Sequence, residues 1–464
     1  MTVQNASVTI DEERIHHILE NTVEDRVHVR EVLQKSLELK GLEDSDVPIL
    51  MAIQSPDLLE ELFHTARQAK LEIYGRRIVL FAPLYVSNLC SNDCTYCAFR
   101  RANKEVKRRA LRQDEVANET KIILDQGHKR ILLVAGESYP NEGINYIFDC
   151  IDTIYDMKTE WGEIRRVNVN IAPLTLEEFQ ELKLRRIGTY QLFQETYHRD
   201  TYKKVHIAGK KRDFDWRITA MDRAMAAGID DVGIGALFGL YDWRFEMLAL
   251  LQHIAHLVKH FGIGPHTISV PRIEPAVGSD LSLHPPIPVT DLEFKKLVAI
   301  LRLTVPYTGI IMSTRETPEM RHETLALGVS QISAGSRTNP GGYNEDEQFD
   351  TSQFSLGDHR NLDEVVADIT SMGYIPSFCT GCYRMKRTGK DFMDLAKPGL
   401  IKNYCDVNAL STFAEFLEHY ASAETKESGD ALVDSILEEM PAARRERAEK
   451  LVKGVRAGGR DLYV

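Results

Sequence analysis

Residues 77–86, RIVLFAPLYV, followed by the loop NLCSNDCTYCAFRR at 88–101, decide how the rest of this chain is read. The first is a β-branched, aromatic run of strand length. The second is polar and rich in turn formers, so the strand must end there. Seven more such runs follow: RILLVAG (130–136), VNVNIAP (167–173), IGTYQLFQ (187–194), DVGIGALFG (231–239), HTISVPRIEP (266–275), TGIIMSTRE (308–316) and VSQISAGS (329–336). Longer stretches of helical periodicity separate them. Eight β-runs alternating with helices over roughly 260 residues predict an α/β fold, a complete TIM-type (β/α)8 barrel, whose active-site groups sit at the C-terminal strand ends. Polar groups fall at those ends: Gly136, Glu137, Asn170, Glu195, Arg272, Glu274 and Arg315. Taken singly, each is as readily a helix cap or a surface ion pair. Their shared address is what marks them.

Upstream, residues 10–75 read as helices, with SPDLLEELFHTARQAK (55–70) opening on a serine cap. After GSRTNPGGY the chain turns polar (NEDEQFDTSQFSLGD) and is helical again from about 360 to 455. The expected organisation is an N-terminal helical segment over 1–75, the barrel over 76–345 and a mainly helical extension over 346–464.

The chain of 464 residues carries a net charge of -12, with acidic and basic residues mixed along it, and 43% hydrophobic residues. That balance disfavours nucleic acid as a partner. The N-terminus lacks a basic stretch followed by an apolar one, and no apolar run is long enough to span a bilayer, so a cytoplasmic protein without a membrane partner is expected.

Six of the seven cysteines fall in two clusters, Cys90, Cys94 and Cys97, and Cys379, Cys382 and Cys405. Clustered thiols in a reducing compartment point to metal or redox chemistry. Cys150, in an apolar helical pattern, reads as an inert core residue. Iron–sulfur cubanes ordinarily take four cysteines, so a three-cysteine loop implies a distant fourth ligand or a substrate at an open iron. Structural zinc is the plain alternative. The first loop lacks the histidine or second CxxC that zinc spacing would supply, and His419 is the one residue after Cys405 that could complete the second set.

The C-x3-C-x2-C loop resembles that of the radical S-adenosylmethionine (SAM) superfamily. The resemblance implies a 4Fe–4S cluster on Cys90, Cys94 and Cys97 whose open iron chelates SAM, with Tyr96 beside the adenine, and reductive cleavage of SAM to a 5′-deoxyadenosyl radical. AGE at 135–137 is similar to that superfamily's GGE strand, and Gly136, Glu137, Asn170, Glu195 and Arg217 are then SAM contacts, Arg217 for the carboxylate.

Together with Cys379, Cys382 and Cys405 (C-x2-C-x22-C), the STRE and SAGSRTNPGGY segments resemble the tyrosine-lyase family of FeFe-hydrogenase maturases, over about residues 20–455. This implies cleavage of L-tyrosine to p-cresol and dehydroglycine, and conversion of that fragment to carbon monoxide and cyanide. It implies a second 4Fe–4S cluster on the C-terminal triad with an additional iron, ligated by His266 and a free cysteine, on which an Fe(CO)2(CN) cysteine unit is assembled. His266 opens the sixth run, at the barrel end opposite the SAM site; read from the residues alone it is as readily a strand cap. Arg315 is the candidate clamp for the tyrosine carboxylate, with Ser313 and Ser336 beside it and Arg337 and Arg272 as competitors. The implied partners are a low-potential electron donor such as a ferredoxin or flavodoxin, and hydrogenase-maturation scaffold proteins. Rival readings are a thiazole-biosynthesis tyrosine lyase, which lacks the C-terminal triad, a biotin-synthase-like sulfur donor, and a non-catalytic Fe–S scaffold.

Overall fold

The structure, a computed structural model, describes residues 8–140, 142–344, 351–397 and 399–464. Eight parallel strands close on themselves: β1 (Arg77–Ser87), β2 (Arg130–Ala135), β3 (Arg166–Asn170), β4 (Tyr190–Gln191), β5 (Val232–Gly235), β6 (Thr267–Ser269), β7 (Gly309–Met312) and β8 (Gln331–Ser333). Each of the eight runs read from the sequence overlaps one of them. Closure comes from β1, the longest strand, whose Val79–Phe81 pair with Gln331–Ser333 of β8 while Ala82–Ser87 pair with β2. The strands are buried along almost their whole length. That is why they read as continuous apolar runs rather than alternating ones.

Several outer helices begin at side-chain caps, including reciprocal capping boxes at Thr175/Glu178, Thr290/Glu293 and Asn361/Glu364. The cap read at Ser55 differs. Ser55 precedes the helix Pro56–Tyr74, but its hydroxyl donates to the Glu24 carboxylate instead of closing the helix end. The N-terminal helices share one continuous apolar core with the barrel and the C-terminal helices. The helix Pro56–Tyr74 ends two residues before β1, and the expected boundary at 345/346 lies outside the described residues.

The C-terminal extension is helical, with one addition. A ninth strand, β9 (Ile375–Ser377), pairs in parallel with Arg77–Val79 at the start of β1. It includes Pro376, which an edge strand tolerates because its missing N–H faces no ladder partner. This short strand leads directly into Cys379, beneath the N-terminal end of the barrel. Among the described residues no helix is long and apolar enough to cross a membrane.

Candidate functional site

Two cavities lie at opposite ends of the barrel. The upper one, about 180 Å³, is walled by the C-terminal strand ends and the loop after β1, and Cys90, Cys94, Tyr96 and Cys97 all line it. The loop is fastened to the strand beside it at Gly136. A Cβ at that position would lie 2.3 Å from the Leu89 carbonyl oxygen, so only glycine lets β2 run this close to the cysteine loop. Burial pushes the Cys90 thiol up to about 11 and raises Cys94 and Cys97 as well. Left bare, the three would be neutral thiols. A cationic metal group is what would let them ionise there, which fits a cluster ligand set. Among the described residues no three His, Cys, Asp or Glu side chains converge tightly enough for a single ion.

A buried charge network forms the adjoining wall. Arg217 donates to Glu137 at 2.9 Å and to the Phe193 carbonyl at 2.8 Å, and lies 3.7 Å from Glu195. Asn92 donates to the other Glu137 oxygen at 2.7 Å. Burial raises the Glu137 carboxyl, but Arg217, Lys211 and these hydrogen bonds outweigh it and hold it below the usual range. Lys211 sits 2.5 Å from Glu195 and also lines the cavity. It was not singled out in the sequence, where it is one of three consecutive basic residues. Glu195 has φ 73°, a left-handed conformation costly for a residue with a Cβ. The next two residues secure it: the Thr196 hydroxyl and the Tyr197 N–H both donate to buried Glu246. Tyr96 has its hydroxyl 2.8 Å from His206 Nε2, which fixes the ring beside the thiols. Asn170 lines the same cavity and donates to the Gln191 carbonyl at 3.2 Å.

Of the three arginines weighed for a substrate carboxylate, Arg315 alone lines this cavity. Arg272 is spent on Glu316 and Asp291, and Arg337 is exposed. The Arg315 guanidinium lies 3.3 Å from the centroid of the Phe354 ring and makes no ion pair among the described residues. Burial lowers its pKa, against the pull of Tyr85 and Glu274. Ser313 lines the cavity; Ser336 does not, and its buried hydroxyl has no hydrogen-bond partner among the described residues. Glu274 also lines it, pushed up to about 7 by burial and by Glu316, against Arg315 and Arg272. Tyr85, Gln353 and Phe354 complete this side, with the Tyr85 hydroxyl donating to Gln353 at 2.8 Å.

The lower cavity, about 80 Å³, brings together Cys379, Cys382, Cys405 and His266. Cys379 follows β9, Cys382 lies on the short helix Gly381–Arg384, and Cys405 is on the helix Lys402–His419. His266 immediately precedes β6. A hydrogen bond from Cys382 and the Arg77 guanidinium hold the Cys405 thiol below its ordinary range. Arg77, Arg130 and Arg387 line the same space, so thiolate charge there meets nearby cations. His266 has Nε2 3.5 Å from the Tyr383 hydroxyl and Nδ1 3.8 Å from Asp231. His419, the zinc alternative, packs at a tilt against Trp161 with ring centroids 5.1 Å apart and does not line the cavity of the triad. Cys150 is in the core.

A closed parallel barrel with a three-cysteine loop at its strand C-termini defines the class, that of the radical SAM enzymes. A model of the Radical SAM superfamily matches residues 84–254, and one of the Biotin and Thiamin Synthesis associated domain matches 269–375. The 2-iminoacetate synthase of Escherichia coli (strain K12) is 32% identical over 345 residues, 74% of this chain and 89% of that protein. The crystal structure of HydG, a maturase of the FeFe-hydrogenase, is 48% identical with TM-score 0.94, covering 98% of this chain and 99% of the other. The HydG structure from Carboxydothermus hydrogenoformans is 43% identical with TM-score 0.83, covering 95% and 97%. The chain belongs to the HydG family of radical SAM maturases.

Proposed function

We propose that this enzyme is a tyrosine lyase of FeFe-hydrogenase maturation that divides its work between the two ends of its barrel. The observation that carries this reading is the pair of cavities, each holding one cysteine triad, within one barrel. In the upper cavity Cys90, Cys94 and Cys97 would hold a 4Fe–4S cluster, with SAM against Tyr96, Gly136, Glu137, Asn170, Glu195 and Arg217. That cluster with SAM supplies a strongly oxidising carbon radical when bound. What the chain itself contributes is positioning. Arg315 offers the tyrosine carboxylate a flat cation that has no ion-pair partner among the described residues, and Ser313 adds a hydroxyl beside it. Glu274, with its carboxyl pushed up to about 7, can take up or return a proton at the cavity wall near neutral pH.

Cleavage of L-tyrosine would then leave p-cresol and dehydroglycine. In the lower cavity, Cys379, Cys382 and Cys405 would hold the second cluster and His266 an additional iron carrying a free cysteine. There each fragment would give one carbon monoxide, one cyanide and water, so two turnovers would supply the diatomics of one Fe(CO)2(CN) cysteine unit with one cyanide left over, and hydrogenase-maturation scaffold proteins would take up that unit. The lower triad is the feature that favours this reading over a thiazole-type tyrosine lyase, which needs the upper cavity alone. The test is anaerobic turnover with SAM and tyrosine, assayed together for p-cresol, cyanide and carbon monoxide. All three are expected; p-cresol without the diatomics would favour the thiazole-type reaction, and no SAM cleavage at all a scaffold.

A further inference from the structure

The cysteine loop reaches the surface between two basic segments that the reading above does not use. Residues 100–109, RRANKEVKRR, hold six Lys and Arg against one Glu, and residues 203–212, KKVHIAGKKR, hold five Lys and Arg and no acid, in a chain whose net charge is -12. They are far apart in sequence, yet one residue joins them. The Asn92 carbonyl accepts from the Arg101 N–H at 2.8 Å, and its side-chain oxygen accepts from the Lys211 N–H at 3.0 Å. Asp93 does the same on its other side, with N–H···O bonds to and from Ala208 and Ile207 and a 2.6 Å bond from Arg100. Some of these cations are consumed structurally: Lys211 by Glu195, and Arg108 by the carbonyls of Asn88, Phe99 and Arg100.

Arg101, Lys104, Lys107, Lys203, Lys204, Lys210 and Arg212 are exposed, and none makes an ion pair among the described residues. Exposed Ile207 lies among them, 49% accessible. A surface depression bordered by Arg101, Lys104 and Arg108 has Cys90 in its wall. A concentration of unpaired cations around an apolar point, at the place where a cluster ligand comes to the surface, is a docking site for an anionic partner that must come close to that ligand.

We propose that the two segments form the docking surface for the enzyme's electron donor, a small acidic one-electron carrier protein of low potential. This rests on the radical SAM reading of the upper cavity. The carrier gives up one electron to the group held by Cys90, Cys94 and Cys97 and dissociates oxidised by one electron; no atom is transferred. Because the attraction acts between exposed charges, it speeds encounter and is screened by salt.

The test compares two reductants on the reconstituted holoenzyme, dithionite and a reduced acidic ferredoxin at subsaturating concentration. A charge-reversal variant, R101E/K104E/K107E, and a neutralising one on the other segment, K203A/K204A/K210A, are assayed for 5′-deoxyadenosine formation. Each is expected to lose about tenfold or more of the ferredoxin-driven rate at low ionic strength, with the dithionite-driven rate unchanged. Added salt should slow the wild type towards the variants. Carbodiimide cross-linking should join ferredoxin carboxylates to lysines of 104–107 and 203–210. Unchanged ferredoxin-driven rates, equal losses with both reductants, cross-links elsewhere, or equal competition by duplex DNA would overturn the proposal. Absence of dithionite-driven SAM cleavage in the wild type would instead remove the reading on which it rests.

Discussion

Arg217, on the helix Phe214–Ile218 that follows β4, and Glu137, just past the end of β2, form an ion pair of 2.9 Å in which the guanidinium side chain is 3% exposed. Arg217 is therefore pinned before any ligand arrives, by Glu137 on one nitrogen and the Phe193 carbonyl on another. As the proposed partner of the SAM carboxylate, a guanidinium held this way would lose little freedom on binding, which favours tight and oriented capture.

Breaking this pair from one side leaves a charge stranded. Arg217→Ala is expected to cost about 3–5 kcal/mol of stability and to abolish SAM binding. Adding Glu137→Gln should recover part of the stability and none of the SAM affinity. Chemical denaturation and anaerobic calorimetry of the single and double variants measure the two quantities separately. SAM affinity that returned together with stability would mean that Arg217 only supports the wall.

Arg315→Ala should weaken L-tyrosine binding by about 2–5 kcal/mol, as expected for loss of one partner of a buried charge pair, while SAM affinity changes little. Arg315→Lys should recover only part of it, since an ammonium cannot reproduce the flat contact with Phe354 or a bidentate grip. Equilibrium binding of each ligand to the reconstituted enzyme gives the comparison. A larger fall for SAM than for tyrosine would assign the carboxylate clamp elsewhere.

How far the sequence revealed this arrangement depended on what each residue's signal was. The eight strands were legible because parallel strands covered by helices are apolar throughout, and the cysteine triads because thiol spacing has few structural explanations. β9 was hidden by its length of three residues and by Pro376, which ordinarily argues against a strand. Lys211 was hidden by its neighbours: a run of Lys and Arg reads as solvated surface. Its burial comes from a loop 119 residues away, through the bond to Asn92. Gln353 and Phe354 sit in a polar stretch with no periodicity at all, and only tertiary folding brings them over Arg315. Ser336 shows how little a strand-end position says about where a side chain points. Its strand-end position suggested a substrate contact, but its side chain is buried outside the cavity wall.

Glu246 gives the enzyme a pH-dependent stability. Burial raises its carboxyl to about 8, against the hydrogen bonds from Thr196 and Tyr197. An acid whose folded pKa lies above its unfolded value binds its proton more tightly when folded. Its contribution is complete below the unfolded pKa, about 4.5, and is lost as pH rises through about 8. Glu246→Gln should therefore flatten the fall in stability across that window, and the gap between variant and wild type should change with pH. Denaturant midpoints measured at several pH values test this, and a pH-independent difference would show that Glu246 does not titrate there.

The two cavities should be separable by mutation. Of these two, Cys379 and Cys382 line the lower cavity and not the upper, while Cys90, Cys94, Cys97 and Arg315 line the upper and not the lower. Changing both Cys379 and Cys382 to Ser should leave p-cresol formation substantially intact while carbon monoxide and the iron–cyanide product disappear. Cys94→Ala should do the opposite and remove every product, because a three-thiolate site cannot lose a ligand and keep its geometry. His266→Ala should be milder than the double change. It removes one ligand of one metal and leaves the triad whole, a loss of about 10–100-fold in retention of the extra iron if the effect is comparable to losing a metal site's supporting contacts. Cresol is followed by chromatography, carbon monoxide by haem trapping and the iron-bound diatomics by their infrared bands during turnover. If the double variant lost cresol in step with carbon monoxide while its upper cluster remained spectroscopically intact, the two ends of the barrel would not act independently, and tyrosine cleavage itself would depend on the lower site.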